Sequence, residues 1–336
     1  MINIAVNGFG RIGRLATRVL AKRADMQITH INDPNGDIET FAHLLKFDSV
    51  HGIYDLPVEL INGRLQINGK EVTFTNNKTI NDIDFGHCNL VIESSGKFLN
   101  TAKVREYFLN NNVRQVVVSA PIKEPGVLNV VMGVNQDSFD KTIHDIVTAA
   151  SCTTNCVAPA IKIIHENFRI SHGCITTVHN ITNTQCVLDQ PHKDLRRARS
   201  CGMSLIPTTT GSAKAITDIF PELTDRLNGH AIRVPLTNSS ITDCVFELSQ
   251  KVNAEQVNEV LESASNDYLK GILGYETRPL VSIDFRTDPR SCIVDALSTM
   301  VVNGTQLKLY LWYDNEWAYA NRLIELAAFT GRVRGL

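Results

Sequence analysis

The sequence has no uninterrupted apolar stretch near the roughly 18 residues that a membrane-spanning helix needs. Its opening, Met1-Ile-Asn-Ile-Ala-Val-Asn-Gly8, lacks a basic segment and carries only a short apolar run, so no secretory signal is expected. It also lacks a strong charge of either sign. The net charge of −2 with His neutral gives no reason to expect nucleic acid or an acidic membrane surface as a partner. Internal repeats, low-complexity segments and long linkers are missing too. The 8 cysteines are scattered rather than set in the paired clusters of a zinc site. Without a secretory signal, that usage predicts reduced thiols and a cytoplasmic protein, with no bound metal.

What is there is enough chain, 336 residues, for two hydrophobic cores. Ile2–Val6 predicts a buried strand, Arg11–Lys22 a helix and Met26–Asn32 a second strand. Asn62-Gly63 and Asn68-Gly69 interrupt the alternating stretch Val58–Thr75 and predict hairpin turns. The apolar runs Leu90-Val-Ile, Val116-Val-Val, Val130-Val-Met and Ile146-Val then predict buried parallel strands. After residue 150 the pattern changes. Ile175–His179, Ala231–Val234, Ile241–Leu248, Cys292–Val302 and Leu307–Tyr313 predict a second sheet, with Asn303-Gly304 turning between the last two. Ala254–Ile272 predicts an amphipathic helix. The expected class is α/β: a Rossmann-type, mostly parallel sheet, then an α+β domain on a mainly antiparallel sheet, with a boundary near 151.

Gly8-Phe9-Gly10-Arg11-Ile12-Gly13 is a G-x-G-x-x-G that follows a strand and opens a helix. Such glycines permit a tight turn and close approach of backbone to a pyrophosphate at the helix N-terminus. Asp33, at the end of the second strand, can accept hydrogen bonds from the adenosine ribose and would repel a 2′-phosphate. That favours NAD over NADP as cofactor. A glycine-rich turn and a capping carboxylate are the plainer alternative. Ser95, Gly96 and Ser119 end later strands on the same rim, where a cofactor would lie or where ordinary turns need such residues.

Cys152 and Cys156 lie four apart in Ser151-Cys-Thr-Thr-Asn-Cys156. They could be a disulfide, two metal ligands, packed thiols, or a nucleophile and its neighbour. A helix beginning there would put Cys152 at its N-terminus, where the dipole and a nearby imidazolium favour a thiolate. Cys156, one turn in, lacks that advantage. Any base must come from elsewhere. His179 ends a predicted strand, a place where a lone histidine is usually structural.

Taken together, these stretches resemble the phosphorylating glyceraldehyde-3-phosphate dehydrogenases. The likeness runs through Asn7–Arg14, Asn32-Asp33, Ala149–Pro159, Thr176–His179, Pro191–Arg199, Ile206–Gly211, Ile232–Pro235 and Trp312–Trp317. It implies that Cys152 is the nucleophile and His179 its base. It assigns Ser151, Thr153, Thr210 and Gly211 to inorganic phosphate, and Thr182 and Arg233 to the substrate's own phosphate. Asn315, with Tyr319 beside it, would orient the nicotinamide, and Arg11 and Ile12 would contact the cofactor backbone. The implied domains are 1–151 for NAD, completed by a helix over 316–336, and 152–315 for catalysis. The implied assembly is a homotetramer, with Pro191–Arg199 packed between subunits.

The sequence departs from the family after His179. Thr184 stands where an acidic residue is usual near the substrate phosphate. The Thr182-Asn-Thr-Gln185 wording resembles a branch associated with arsenate-resistance gene clusters. That likeness implies arsenate in place of phosphate and 1-arseno-3-phosphoglycerate as product. Erythrose-4-phosphate dehydrogenase, a close relative, and a non-enzymatic binding role are the competing readings.

Overall fold

The computed structural model describes residues 1–110 and 112–336; for Ser212, Ala213 and Lys214 it describes the backbone. Two compact units emerge, Met1–Ser151 with Tyr319–Leu336, and Cys152–Ala318.

In the first unit, β1 (Ile2–Asn7), α1 (Arg11–Leu20), β2 (Met26–Asn32) and α2 (Ile38–Lys46) come first. They are followed by β3 (Val58–Ile61), β4 (Arg64–Ile67), β5 (Lys70–Thr75), β6 (Leu90–Glu93), β7 (Gln115–Val118), β8 (Leu128–Asn129) and β9 (Ile146–Thr148). The sheet order is β8-β9-β7-β6-β1-β2-β5-β4-β3. Pairing is parallel from β8 to β5, and β4 and β3 add antiparallel at one edge. Every residue of β6 and β7 is buried, which is why Leu90–Ile92 and Val116–Val118 read as apolar runs, with one buried polar residue at the end of each strand, Glu93 and Gln115. Asn62-Gly63 and Asn68-Gly69 have positive φ at both positions, as a type I′ hairpin turn requires.

The second unit opens with α3 (Cys152–Phe168), β10 (Ile170–Asn180), β11 (Ile206–Thr209), α4 (Ser212–Ile219) and β12 (Leu227–Val234). Then come β13 (Ser240–Leu248), α5 (Ala254–Asn266), β14 (Leu273–Glu276), β15 (Cys292–Asp295), β16 (Met300–Val302) and β17 (Gln306–Tyr313). The order is β11-β12-β10-β13-β17-β15-β14, with β16 also on β17. Two pairings, β10 with β12 and β14 with β15, are parallel; the others are antiparallel. Helix α6 (Trp317–Arg334) closes the chain.

Three expected elements come out differently. Val130-Val-Met is not a strand: pairing stops at Asn129, the Val131 N–H turns to the Asn135 side chain, and Gly133 takes φ +83°. Cys292–Val302 is broken by a 3₁₀ turn at Ala296–Ser298. Helix α5 ends at Asn266 rather than Ile272: Asp267 leaves helical geometry at φ −113°, ψ −115°, and the chain then turns through Gly271 at φ +83° before β14.

Candidate functional site

The first unit builds a cleft from backbone. Gly8 has φ +89°, and a Cβ there would sit 2.3 Å from the Ser95 nitrogen. A Cβ on Gly13 would sit 2.0 Å from the Gly8 carbonyl oxygen. Both glycines are therefore required by packing. Gly10 is different: a Cβ there meets nothing within 4 Å, and Gly10 forms the N-cap of α1 without a side-chain cap. The turn is thus closed beneath and open above, the shape a pyrophosphate needs at a helix N-terminus. The cleft holds about 150 Å³ and is lined by Gly8, Gly10, Asp33, Asn77, Ser95 and Phe98 among others.

Asp33 lines the cleft and is bonded within it. Its carboxylate accepts from the Phe9 N–H at 2.7 Å and from the Asn35 N–H at 2.8 Å, so it also holds the glycine turn in place. Ser95 donates its hydroxyl to Glu93 at 2.6 Å and accepts from the Lys97 N–H at 3.1 Å, so that hydroxyl already serves its own loop. Gly96 is left-handed at φ +69°, and the Ser119 N–H donates to the Glu93 carbonyl. Arg11 turns its guanidinium onto Asp48. Burial raises the Asp48 carboxyl, but the His51 N–H, Arg11 and the Val50 N–H together bring it down to about 2. Arg11 and Ile12 are thus left to meet a ligand through the first turn of α1. Tyr319 is buried, its hydroxyl donating to the Ala150 carbonyl at 3.1 Å.

The second unit gathers side chains. Cys152 is the first residue of α3, and its sulfur lies 3.7 Å from Nε2 of His179, the penultimate residue of β10. The parallel register of β10 on β12 sets His179 opposite Arg233. Arg233 Nη1 is 2.7 Å from His179 Nδ1, which also lies 2.7 Å from the Asn180 carbonyl oxygen. The ring therefore fits both tautomers. With Nδ1–H donated to Asn180, Nε2 is a base facing the sulfur; with Nδ1 accepting from Arg233, Nε2–H is a donor. Burial and then Arg233 hold the imidazole down to about 3. Protein packed around the sulfur pushes the Cys152 thiol up, and Arg233 is the strongest influence pulling it back. Burial and the neighbouring guanidinium thus disfavour an imidazolium beside the thiol, and Arg233 supplies the adjacent positive charge. Arg233 Nε is buried without a partner, which leaves a donor for an anion.

The remaining predicted residues surround this pair or stand by themselves. The Thr153 hydroxyl bonds the buried Tyr313 hydroxyl at 2.8 Å, and the Tyr313 ring lies edge-on to His179. Thr182 donates its hydroxyl to Gln185 Oε1 at 3.0 Å, and Gln185 Nε2 donates to Thr184 at 3.0 Å. Arg197 Nη1 donates to the Thr184 hydroxyl at 3.2 Å. Thr210 and Gly211 lead into α4, Gly211 as its N-cap with open space around it. Ser151 precedes Cys152 at the end of the first unit, next to Ala150, a non-glycine residue at φ +50°. Asn315 is buried with Oδ1 unpartnered, suited to an amide N–H. Asp314 fixes that stretch by accepting from the Glu316 and Trp317 N–H groups, both at 2.8 Å. Cys156 is fully buried, its sulfur against the Leu311 carbonyl, and all the cysteines are free thiols.

Sequence reasoning did not single out Tyr313, Arg197 or Glu93. Tyr313 and Arg197 carry no local signal, because tertiary pairing alone brings them in. Glu93 had one, a carboxylate ending an otherwise apolar buried strand. Among the described residues there is no cluster of three or more His, Cys, Asp or Glu side chains that could hold a metal, and no helix long and apolar enough to cross a membrane.

Comparison with known proteins agrees with both halves. Residues 2–101 match the NAD-binding domain model of glyceraldehyde 3-phosphate dehydrogenase, and residues 151–315 match its C-terminal domain model. The chain is 53% identical over 330 residues to glyceraldehyde-3-phosphate dehydrogenase 3 of a Nostoc species, covering 97% of each. It is 45% identical over 330 residues to the Geobacillus stearothermophilus enzyme, covering 98% of each, and 43% identical over 333 residues to enzyme 1 of Bacillus subtilis, again covering 98% of each. With an NAD-binding unit whose turn fits the dinucleotide, and a second unit that pairs a thiol with a histidine, the chain belongs to the glyceraldehyde-3-phosphate dehydrogenase family and is an NAD-dependent enzyme of that type.

Proposed function

We propose that the chain oxidises D-glyceraldehyde 3-phosphate to 1,3-bisphosphoglycerate through a thioester on Cys152. The 3.7 Å approach of His179 to Cys152, beside an arginine with a donor to spare, carries this reading. Cys152 attacks the aldehyde carbon while its proton passes to His179, whose Nε2–H then stabilises the oxyanion. NAD, when bound, supplies the hydride acceptor that turns the hemithioacetal into a thioester. Inorganic phosphate attacks the thioester carbonyl, the acyl phosphate leaves, and the sulfur is regenerated. Ser151, Thr153, Thr210 and Gly211 hold the attacking phosphate. Thr182, Thr184 and Arg233 hold the phosphate of the substrate, and Asn315 orients the carboxamide of the cofactor. Residues 1–151 with the terminal helix bind NAD, and 152–315 carry the chemistry.

Arsenate, nearly isosteric with phosphate, serves as an alternative oxyanion under this proposal and gives 1-arseno-3-phosphoglycerate. The likeness of Thr182-Asn-Thr-Gln185 to the arsenate-associated branch supports it. No residue here prefers arsenate over phosphate, and Thr184, with its hydroxyl accepting from Arg197, lies at the substrate phosphate, where a carboxylate would repel an anion. The enzyme works in the cytoplasm as a homotetramer. Val187, Leu188, Leu195 and Met203 are each at least 77% exposed on one loop, which supports assembly through that surface. A sedimentation measurement giving a monomer at micromolar concentration would remove the tetramer.

The test is a steady-state assay with NAD, glyceraldehyde 3-phosphate and either oxyanion, run beside erythrose 4-phosphate. A higher kcat/KM for the three-carbon aldehyde is expected, with an acyl adduct on the Cys152 peptide when the oxyanion is withheld. Preference for the four-carbon aldehyde, or an adduct elsewhere, would overturn the reading, and no turnover with either would leave a binding role.

A further inference from the structure

A row of polar side chains, half-buried at Thr75 and buried at Asn32, Asn7 and Glu93, crosses the C-terminal ends of four neighbouring strands of the first unit. Thr75, Asn32, Asn7 and Glu93 are opposite one another in register on β5, β2, β1 and β6. Their side chains are joined in the same order. Thr75 donates to Asn32 Oδ1 at 2.8 Å, Asn32 Nδ2 donates to Asn7 Oδ1 at 2.7 Å, and Asn7 Nδ2 donates to Glu93 Oε2 at 2.8 Å. The Tyr107 hydroxyl donates to the same Glu93 oxygen. Glu93 Oε1 accepts from both the N–H and the hydroxyl of Ser95, at 2.7 and 2.6 Å.

Glu93 is fully buried, yet no positively charged group supplies any of these bonds. A carboxylate in such a place costs free energy that four neutral donors, the Asn7 amide, the Ser95 N–H and the Ser95 and Tyr107 hydroxyls, offset only in part. What that arrangement achieves is local. The backbone at Ser95 is the surface against which Gly8 packs, and Ser94 donates its hydroxyl to the Gly8 carbonyl at 2.6 Å. From Ser95 the chain runs through left-handed Gly96 to Lys97 and Phe98, both of which line the cleft. The carboxylate therefore sets the wall of the cleft with respect to its floor.

We infer that Glu93 is a positioning residue for the dinucleotide site: anchored by Asn7 and Tyr107, it holds Ser95 so that the segment 95–98 is preformed against the Gly8 turn. This rests on the reading that the cleft takes NAD. An amide cannot replace the carboxylate, because each oxygen accepts two donors and an NH₂ group accepts none.

The test is NAD binding and steady-state kinetics of Glu93→Gln, together with amide hydrogen exchange over 94–98. We expect the NAD Kd to rise about tenfold, the scale of a lost hydrogen bond to a charged group. Exchange over 94–98 should quicken, while kcat and the aldehyde KM stay within about twofold. Tyr107→Phe, which removes one donor and leaves the carboxylate, should raise the NAD Kd about threefold and serves if the glutamine variant does not fold. A folded variant with wild-type NAD Kd and wild-type exchange overturns the inference, as does a loss of thermal stability with NAD Kd unchanged. Asp33→Ala separates the two claims. If it weakens NAD while Glu93→Gln does not, only the role of Glu93 falls; if neither does, the cleft is not the NAD site.

Discussion

The two candidate sites are made of different material. The cleft of the first unit is mostly main chain: a turn where two glycines exclude Cβ atoms, a helix end, and one carboxylate that binds the turn itself. The site of the second unit is mostly side chain, with a thiol from α3, an imidazole from β10, a guanidinium from β12 and a phenol from β17. A main-chain site depends on shape and tolerates few changes in backbone freedom. A side-chain site depends on charge and proton position, so a conservative change at one member acts first on those.

That contrast predicts how each site fails. Cys152→Ser should lower kcat by roughly 10³-fold or more with little change in melting temperature, since the hydroxyl is a far weaker nucleophile than the thiol. Turnover within tenfold of wild type would break the side-chain half of the comparison. Gly8→Ala should instead cost stability, about 2 kcal/mol or more by denaturant unfolding, because a left-handed φ and a 2.3 Å approach to Ser95 backbone leave no room for the methyl group. Gly10→Ala, with open space, should unfold like wild type and lose NAD affinity alone; equal destabilisation by both would blur the distinction.

Arg233→Ala sharpens the electrostatics. Removing the guanidinium takes away a cation that favours thiolate and disfavours imidazolium. The Cys152 alkylation midpoint should therefore move up, and the His179 value should rise from about 3. Iodoacetamide inactivation as a function of pH measures the first, and an unchanged or lower midpoint would contradict the geometry. Thr184→Asp should have the smallest effect: a fewfold rise in aldehyde KM from repulsion, and a shift in the arsenate-to-phosphate ratio of kcat/KM. An unchanged ratio would free Thr184 from any part in oxyanion choice.

The same contrast explains what could be read from sequence. The glycine turn, β1, α1, β2 and Asp33 lie within 33 consecutive residues, so local pattern carried them, and the Asn-Gly turns marked their hairpins by φ alone. Cys152 had a local signal in the strand-to-helix junction. His179 had almost none: its pairing with Arg233, 54 residues on, exists only because β10 and β12 lie parallel in register. Arg197 and Tyr313 are further cases. The strand errors have a similar origin, since Val130-Val-Met is apolar enough for a strand but gives up its ladder to the Asn135 side chain.

The bond between Arg233 and His179 has one more implication. Burial and the guanidinium both disfavour a second proton on the imidazole, while Nδ1–H donated to Asn180 leaves Nε2 able to accept one from the sulfur. An anion seated on Arg233 would offset part of that positive charge and make the imidazole a better acceptor. A charge arriving at the arginine would thus be felt at the sulfur, through the one ring between them.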